Sequence, residues 1–281
     1  MCRHLAYLGP PVSLAELMFD GANSLAGQSW APTMMRRGGT VNVDGFGVGW
    51  FPPDAAEPAA PGAAEAGRRP GARVVSPTAR TVAPPLRYRR TGPIWNDHGF
   101  AEVATVVRTP AALAAVRSAT TGMPISEEAC APFRSGPWLF SHNGVLPGWP
   151  DCAAGLVTDL PAAALLTEGA TDSALLWALL RARIDAGSPP ADAVRDLVGE
   201  VGELIPGARL NLLLTDGETV FATTWTHSLF VQHAPGRLVV ASEPLDEDGD
   251  WAEVPDARLL VATRDKVEIT PIHPTSVPSR G

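Results

Sequence analysis

Lysine is almost missing from this chain: of 22 basic residues one is Lys266, and the other 21 are arginines. Acidic residues number 30, so the net charge is −8 and the pI is about 5.2. A chain without a basic surplus has no field to hold nucleic acid or an anionic membrane, and neither is expected as a partner. Cysteine is nearly as scarce. Cys2, Cys130 and Cys152 form an odd, scattered set that gives neither a disulfide framework nor a CxxC metal pair. The 6 histidines and the carboxylates show no metal spacing such as HExxH, so no metal and no cofactor are expected. No apolar run approaches the ~18 residues of a membrane span, and Met-Cys-Arg-His lacks the make-up of a secretory signal. The expectation is a cytoplasmic protein with reduced thiols. Tyrosine is rare too, with 2 against 8 tryptophans.

What is present is an ordinary globular balance, 45% apolar and 19% charged, over 281 residues. The arginine excess, with abundant Ala, Gly and Pro, is that of a GC-rich coding bias, so no single arginine counts without positional support. Residues 2–281 read as one domain. Cys2 to Leu8 reads as a short buried strand stopped by Gly9-Pro10-Pro11, and Ser13 caps a helix through Leu14, Leu17 and Met18. Phe46 to Phe51 is a core strand with glycines where backbones approach closely. Residues 52–85 are Pro/Ala/Gly-rich without periodicity and read as a long loop. Strands are expected at Ala111 to Ser118 and Pro137 to His142. A buried helix follows Thr171-Asp172-Ser173, and a second runs from Pro189-Pro190 to about Val201. Leu210 to Leu214, Asp216-Gly217 and Val220 to Trp225 form a hairpin, with strands near Leu229, Leu238 to Ala241 and Leu259 to Ala262. Strands, two adjacent helices and more strands give an α+β chain of antiparallel sheets packed under helices.

Four weak signals carry chemistry. Cys2 gains an α-amine neighbour if Met1 is removed, so one residue supplies a nucleophile and a base of pKa about 7.7–8.0. In His142-Asn143-Gly144 an amide and a backbone N–H are suited to an oxyanion, although Asn-Gly is also the commonest turn dipeptide. Arg117 and Thr120 set a guanidinium and a hydroxyl three residues apart, suited to a carboxylate, although Arg117 also reads as a surface arginine. Asp172 heads a helix, where it serves as an N-cap or presents a carboxylate to an ammonium. His4 shares a strand face with Cys2 and reads as a structural histidine or as half of a thiol–imidazole pair.

Together, Cys2, Arg117-Ser118-Ala119-Thr120-Thr121-Gly122, His142-Asn143-Gly144 and Thr171-Asp172-Ser173 resemble the class II glutamine amidotransferases, a branch of the N-terminal-nucleophile hydrolases. The block Asp44 to Trp50 looks like the same family. The resemblance implies a four-layer αββα sandwich. It makes Cys2 the nucleophile, Asn143 and Gly144 the oxyanion hole, Arg117 with Thr120 the holder of a glutamyl α-carboxylate, and Asp172 the partner of its α-ammonium. No synthase module accompanies these motifs, which favours hydrolysis of a γ-glutamyl amide over amidotransfer.

A narrower likeness lies in the opening Met-Cys-Arg-His-Leu-Ala-Tyr-Leu-Gly, Gln28 to Pro32, Pro93-Ile94-Trp95 and Val240 to Leu245. These resemble the amidohydrolases of bacterial ergothioneine biosynthesis, which act on a small γ-glutamyl substrate bearing a hercynyl trimethylammonium. Aromatic faces suit such a cation, and Trp30 and Trp95, in Pro-flanked and loop-like settings, are candidates; Trp50, Trp138 and Trp177 sit in apolar runs and read as core. No obligatory protein partner is expected. Two other readings stay open: a glutaminase subunit feeding ammonia to a separate synthase, and a non-catalytic protein that binds γ-glutamyl metabolites.

Overall fold

A computed structural model describes residues 2–35, 41–53, 84–158, 160, 168–247 and 249–273. Most of the loop expected at 52–85 lies outside them. Among the described residues the strands form two antiparallel sheets. The first has seven strands, built around β1 (Arg3–Ser13), which lies between β4 (Arg108–Arg117) and β10 (Arg237–Ala241). Beyond β4 come β2 (Gly45–Phe51) and the edge strand β3 (Leu86–Arg90). Beyond β10 come β9 (Phe230–Ala234) and β11 (Trp251–Glu253). The six-stranded sheet runs in the order β13 (Val267–Pro271), β12 (Arg258–Ala262), β8 (Val220–Thr224), β7 (Arg209–Thr215), β6 (Trp138–Val145) and β5 (Phe133–Ser135).

Strand alternation sorts the apolar residues into three layers. Along β1, Leu5 and Tyr7 point to a helix-covered face with Phe46, Val48, Ala112 and Ala114. Ala6 and Leu8 point the other way, to Leu113, Leu139, Leu213, Val240 and Leu260, and this layer joins the two sheets. On the far side, Phe140, Leu210, Leu212 and Leu214 pack under helices. The result is a four-layer αββα sandwich. The helices α1 (Leu14–Met18), α2 (Leu25–Trp30) and α3 (His98–Val106) cover the seven-stranded sheet; α4 (Asp172–Asp185) and α5 (Pro190–Leu204) cover the other. Helix α4 is apolar nearly all round because it meets the sheet, α5 and the segment holding Leu146, Ala153 and Leu156.

Three local expectations change. Strand β1 does not stop at Gly9-Pro10-Pro11 but runs to Ser13 through a register shift between Leu8 and Val12. Prolines are tolerated at such an irregularity because the ladder needs no N–H from them, and the Tyr7 hydroxyl donates to the Pro10 carbonyl at 2.6 Å. Strand β6 does not end at His142. Asn143 pairs with Asn211 and Gly144 with Leu210, so this dipeptide lies within a strand and not in a turn. Thr171, not Asp172, is the N-cap of α4, its hydroxyl accepting from the Ala174 N–H at 3.1 Å. Ser13 caps α1 as expected and closes a full capping box with Glu16.

Candidate active site

The layer between the sheets is apolar along most of its length and turns polar where β1 and β7 begin and β4, β6 and β10 end. Cys2 lies here, half-buried, with Sγ 4.0 Å from the Ser118 carbonyl. Its backbone is held from behind. The Arg3 guanidinium donates to the Cys2 carbonyl at 3.0 Å and pairs with Glu243 at 2.7 Å, both side chains fully buried. The other Glu243 oxygen accepts from the N–H and hydroxyl of Thr33, each at 2.8 Å. Burial pushes the Arg3 pKa down, against the pull of Glu243. Burial pushes Glu243 up, but the Thr33 N–H and Arg3 outweigh it and leave the carboxyl below its ordinary value.

Cys2, Arg117, Ser141, His142 and Ser173 line one narrow cleft, with Phe46 and Phe133 among its apolar walls. Arg117 closes β4. It is buried, and its Nη1 has no hydrogen-bond partner, so a cationic donor stands unsatisfied beside the thiol. Asn143 is fully buried on the inter-sheet face; Nδ2 lies 3.4 Å from Ser242 Oγ and Oδ1 has no partner. At Gly144 any Cβ would overlap the Arg209 carbonyl and the His142 ring, so only glycine fits this stretch of strand. Thr120 is exposed in the bend after β4 and does not line the cleft. Asp172 is buried just behind the wall. Its Oδ2 accepts from the Leu146 N–H at 3.0 Å and its Oδ1 from the Ser173 N–H at 2.7 Å. Trp30 ends α2 and is 56% exposed. It meets Trp95, in a 3₁₀ turn, with ring centroids 5.5 Å apart and planes inclined at 55°. The pair forms, but it does not line this cleft. Trp177 is core, and Trp50 and Trp138 are partly buried against core clusters.

His4 is no partner of the thiol. Its Nδ1 meets Ser141 Oγ at 3.1 Å, and burial, then the charges of His142, Arg3 and His227, holds its pKa well below the ordinary value. Burial, then Arg209 and Arg3, takes His227 down to about 3. Burial pushes the fully buried Cys130 thiol up to about 11 and raises Cys152 as well. Among the described residues, no group of three or more His, Cys, Asp and Glu is placed to hold a metal ion, and no helix is long and apolar enough to cross a membrane.

The family model "Glutamine amidotransferases class-II" matches residues 100–237. The gamma-glutamyl-hercynylcysteine sulfoxide hydrolase of Mycolicibacterium smegmatis is 39% identical over 272 residues, covering 97% of this chain and 100% of that protein. This chain belongs to the class II glutamine amidotransferases. The Mycobacterium tuberculosis H37Rv protein of the same name is 37% identical over 270 residues, 96% of each chain. Among solved structures, a glutamine aminotransferase class-II domain protein from Silicibacter pomeroyi superposes with a TM-score of 0.61 at 22% identity, covering 97% of this chain and 100% of that one. The glutamine phosphoribosylpyrophosphate amidotransferase of B. subtilis gives 0.63 at 14%, covering 96% of this chain and 49% of that one. At these identities the two structures carry the fold alone.

Several residues in and around this cleft escaped the sequence reading. Arg3 was hidden by the arginine bias, and its partner Glu243 lies 240 residues away. Ser141 was accessible through alternation, since it shares the inter-sheet face with Asn143. Asn211 carries no motif, yet its Oδ1 accepts from the Trp225 and His227 N–H groups and its Nδ2 donates to the His227 carbonyl.

Proposed function

We propose that this chain hydrolyses the γ-glutamyl amide bond of γ-glutamyl-hercynylcysteine S-oxide, releasing glutamate and hercynylcysteine S-oxide, with Cys2 as the N-terminal nucleophile. One observation carries the chemistry: the Cys2 thiol and the unpartnered Arg117 guanidinium share a cleft, so a carboxylate held by Arg117 brings a glutamyl chain beside the sulfur. End-to-end likeness to the mycobacterial hydrolases supports the substrate.

With Met1 removed, the freed α-amine takes the thiol proton, directly or through water, and Cys2 Sγ attacks the γ-carbonyl. Asn143 and Gly144 donate to the oxyanion; the fully buried Asn143 amide sits in a water-poor setting, where such a donor is worth roughly 2.7–4 kcal/mol. The C–N bond breaks as the amine leaves with a proton, giving a γ-glutamyl thioester. Water, deprotonated by the same α-amine, attacks the thioester and frees glutamate. Asp172, behind the cleft wall, supplies the negative charge for the glutamyl α-ammonium, whereas the exposed Thr120 stands outside the cleft and supports Arg117 only if the loop after β4 closes over a bound substrate. The Trp30–Trp95 pair receives the trimethylammonium: from Trp30, at the end of α2, the chain runs on to Thr33, which holds the Arg3–Glu243 pair behind Cys2. Residues 2–281 act as one domain in the cytoplasm, where the thiol stays reduced, without an obligatory protein partner.

The test is a substrate panel. kcat/KM for the hercynyl sulfoxide exceeds that for free glutamine, and Trp30→Ala or Trp95→Ala removes much of the preference, each aromatic face contributing about 0.5–2 kcal/mol. Equal kcat/KM for the two substrates contradicts the hercynyl assignment.

A further inference from the structure

His142 has only one arrangement of its protons. Its Nε2 lies 2.8 Å from the Arg209 carbonyl, which can only accept, so Nε2 carries a proton. Burial holds the ring below its ordinary pKa, so the imidazole is neutral and Nδ1 is bare. Ser173 Oγ lies 2.9 Å from Nδ1 and spends its single proton there. Asp172 Oδ1, 3.3 Å from the same Oγ, is left without that proton. Two acceptor oxygens thus stand close together with no hydrogen between them, an arrangement that a bridging cationic donor relieves.

Position adds to this. Ser173 and His142 line the cleft with Cys2 and Arg117, whereas Asp172 does not. The cleft therefore presents one unsatisfied cation and one oriented hydroxyl backed by a carboxylate, the complement of an amino-acid head group.

We infer that Ser173, its hydroxyl oriented by His142, is a specificity residue of the glutamyl pocket: its Oγ accepts a hydrogen bond from the substrate α-ammonium, whose charge the Asp172 carboxylate behind it balances. His142 is a positioning residue, since it acts through Ser173. The inference rests on the γ-glutamyl reading above.

Binding of L-glutamate and of glutarate, which lacks the α-ammonium, is measured by calorimetry for the unsubstituted protein, Ser173→Ala, Ser173→Thr and His142→Phe. A hydrogen bond to a charged group sets the scale: Ser173→Ala weakens glutamate about tenfold to a hundredfold and leaves glutarate unchanged. Ser173→Thr keeps the hydroxyl and the preference. His142→Phe lets the hydroxyl proton turn toward Asp172 and lowers the glutamate-to-glutarate ratio. Equal weakening of both ligands by Ser173→Ala, no weakening, or an unsubstituted protein without preference for glutamate overturns the inference. Turnover of the hercynyl sulfoxide is assayed alongside. Its absence with the binding pattern intact sinks only the proposed reaction; its presence without the pattern sinks only the role of Ser173.

Discussion

At the scale of single residues, the site holds side chains whose hydrogen bonds are incomplete, and the open donor on Arg117 is where the proposed substrate carboxylate would bind. Arg117 Nη1 and Asn143 Oδ1 are buried without partners, which costs about 1–3 kcal/mol each unless something offsets it. Asn143→Ala removes the proposed oxyanion donor, which would work only on the reaction path, so kcat should fall roughly a hundredfold to a thousandfold with KM little changed. Steady-state kinetics checks this, and an intact kcat with a raised KM contradicts the assignment. Cys2 and Arg117, which the fold brings into one cleft, stood out in the sequence because each residue type announces its chemistry. Ser173 and Glu243 were not, because a serine or a buried carboxylate means nothing until the fold supplies its partner.

At the scale of elements, the strand ends do the positioning. Cys2 immediately precedes β1, and Glu243 lies two residues beyond the end of β10, so one buried ion pair ties the Cys2 carbonyl to the neighbouring strand and to Thr33. Breaking such a pair leaves an uncompensated charge, a cost of about 3–5 kcal/mol. Glu243→Gln accordingly loses stability of that order by denaturant unfolding and lowers kcat as the Cys2 backbone slackens. An unchanged midpoint and unchanged turnover contradict this role. β2, β4, β7, β8, α4 and α5 were readable from periodicity and turn residues. Strand β3, Leu-Arg-Tyr-Arg-Arg, reads as polar because it is a half-exposed edge, and α2 is six residues long with an internal glycine. The prolines after Leu8 and the Asn-Gly of β6 mislead locally, because long-range pairing overrides turn preference.

At the scale of the whole molecule, the four layers follow from alternation alone, while the polar end of the inter-sheet layer depends on which strands begin or end together. That polar end concentrates buried neutral histidines. His4, His142 and His227 have folded pKa values below the ordinary 6.5, so falling pH protonates the unfolded chain first. Stability is full above about pH 6.5 and declines below it, by about 1.4 kcal/mol per pH unit for each such histidine, until the folded value is reached. Glu243, also below its ordinary value, adds to the loss in the more acid range. Unfolding midpoints at about pH 7 and pH 5 should differ accordingly, and His227→Phe should remove about 2 kcal/mol of the difference. A pH-independent midpoint contradicts the buried, neutral state of these rings.

The central claim is a γ-glutamyl thioester on an N-terminal Cys2, and rapid acid quenching during turnover tests it most directly. Mass analysis should find the N-terminal peptide beginning at Cys2, without Met1, and carrying one glutamyl group through sulfur. Cys2→Ala should carry none, whereas Cys130→Ala and Cys152→Ala should still form it. Turnover by a chain that retains Met1, or a glutamyl group attached to a residue other than Cys2, would contradict the account.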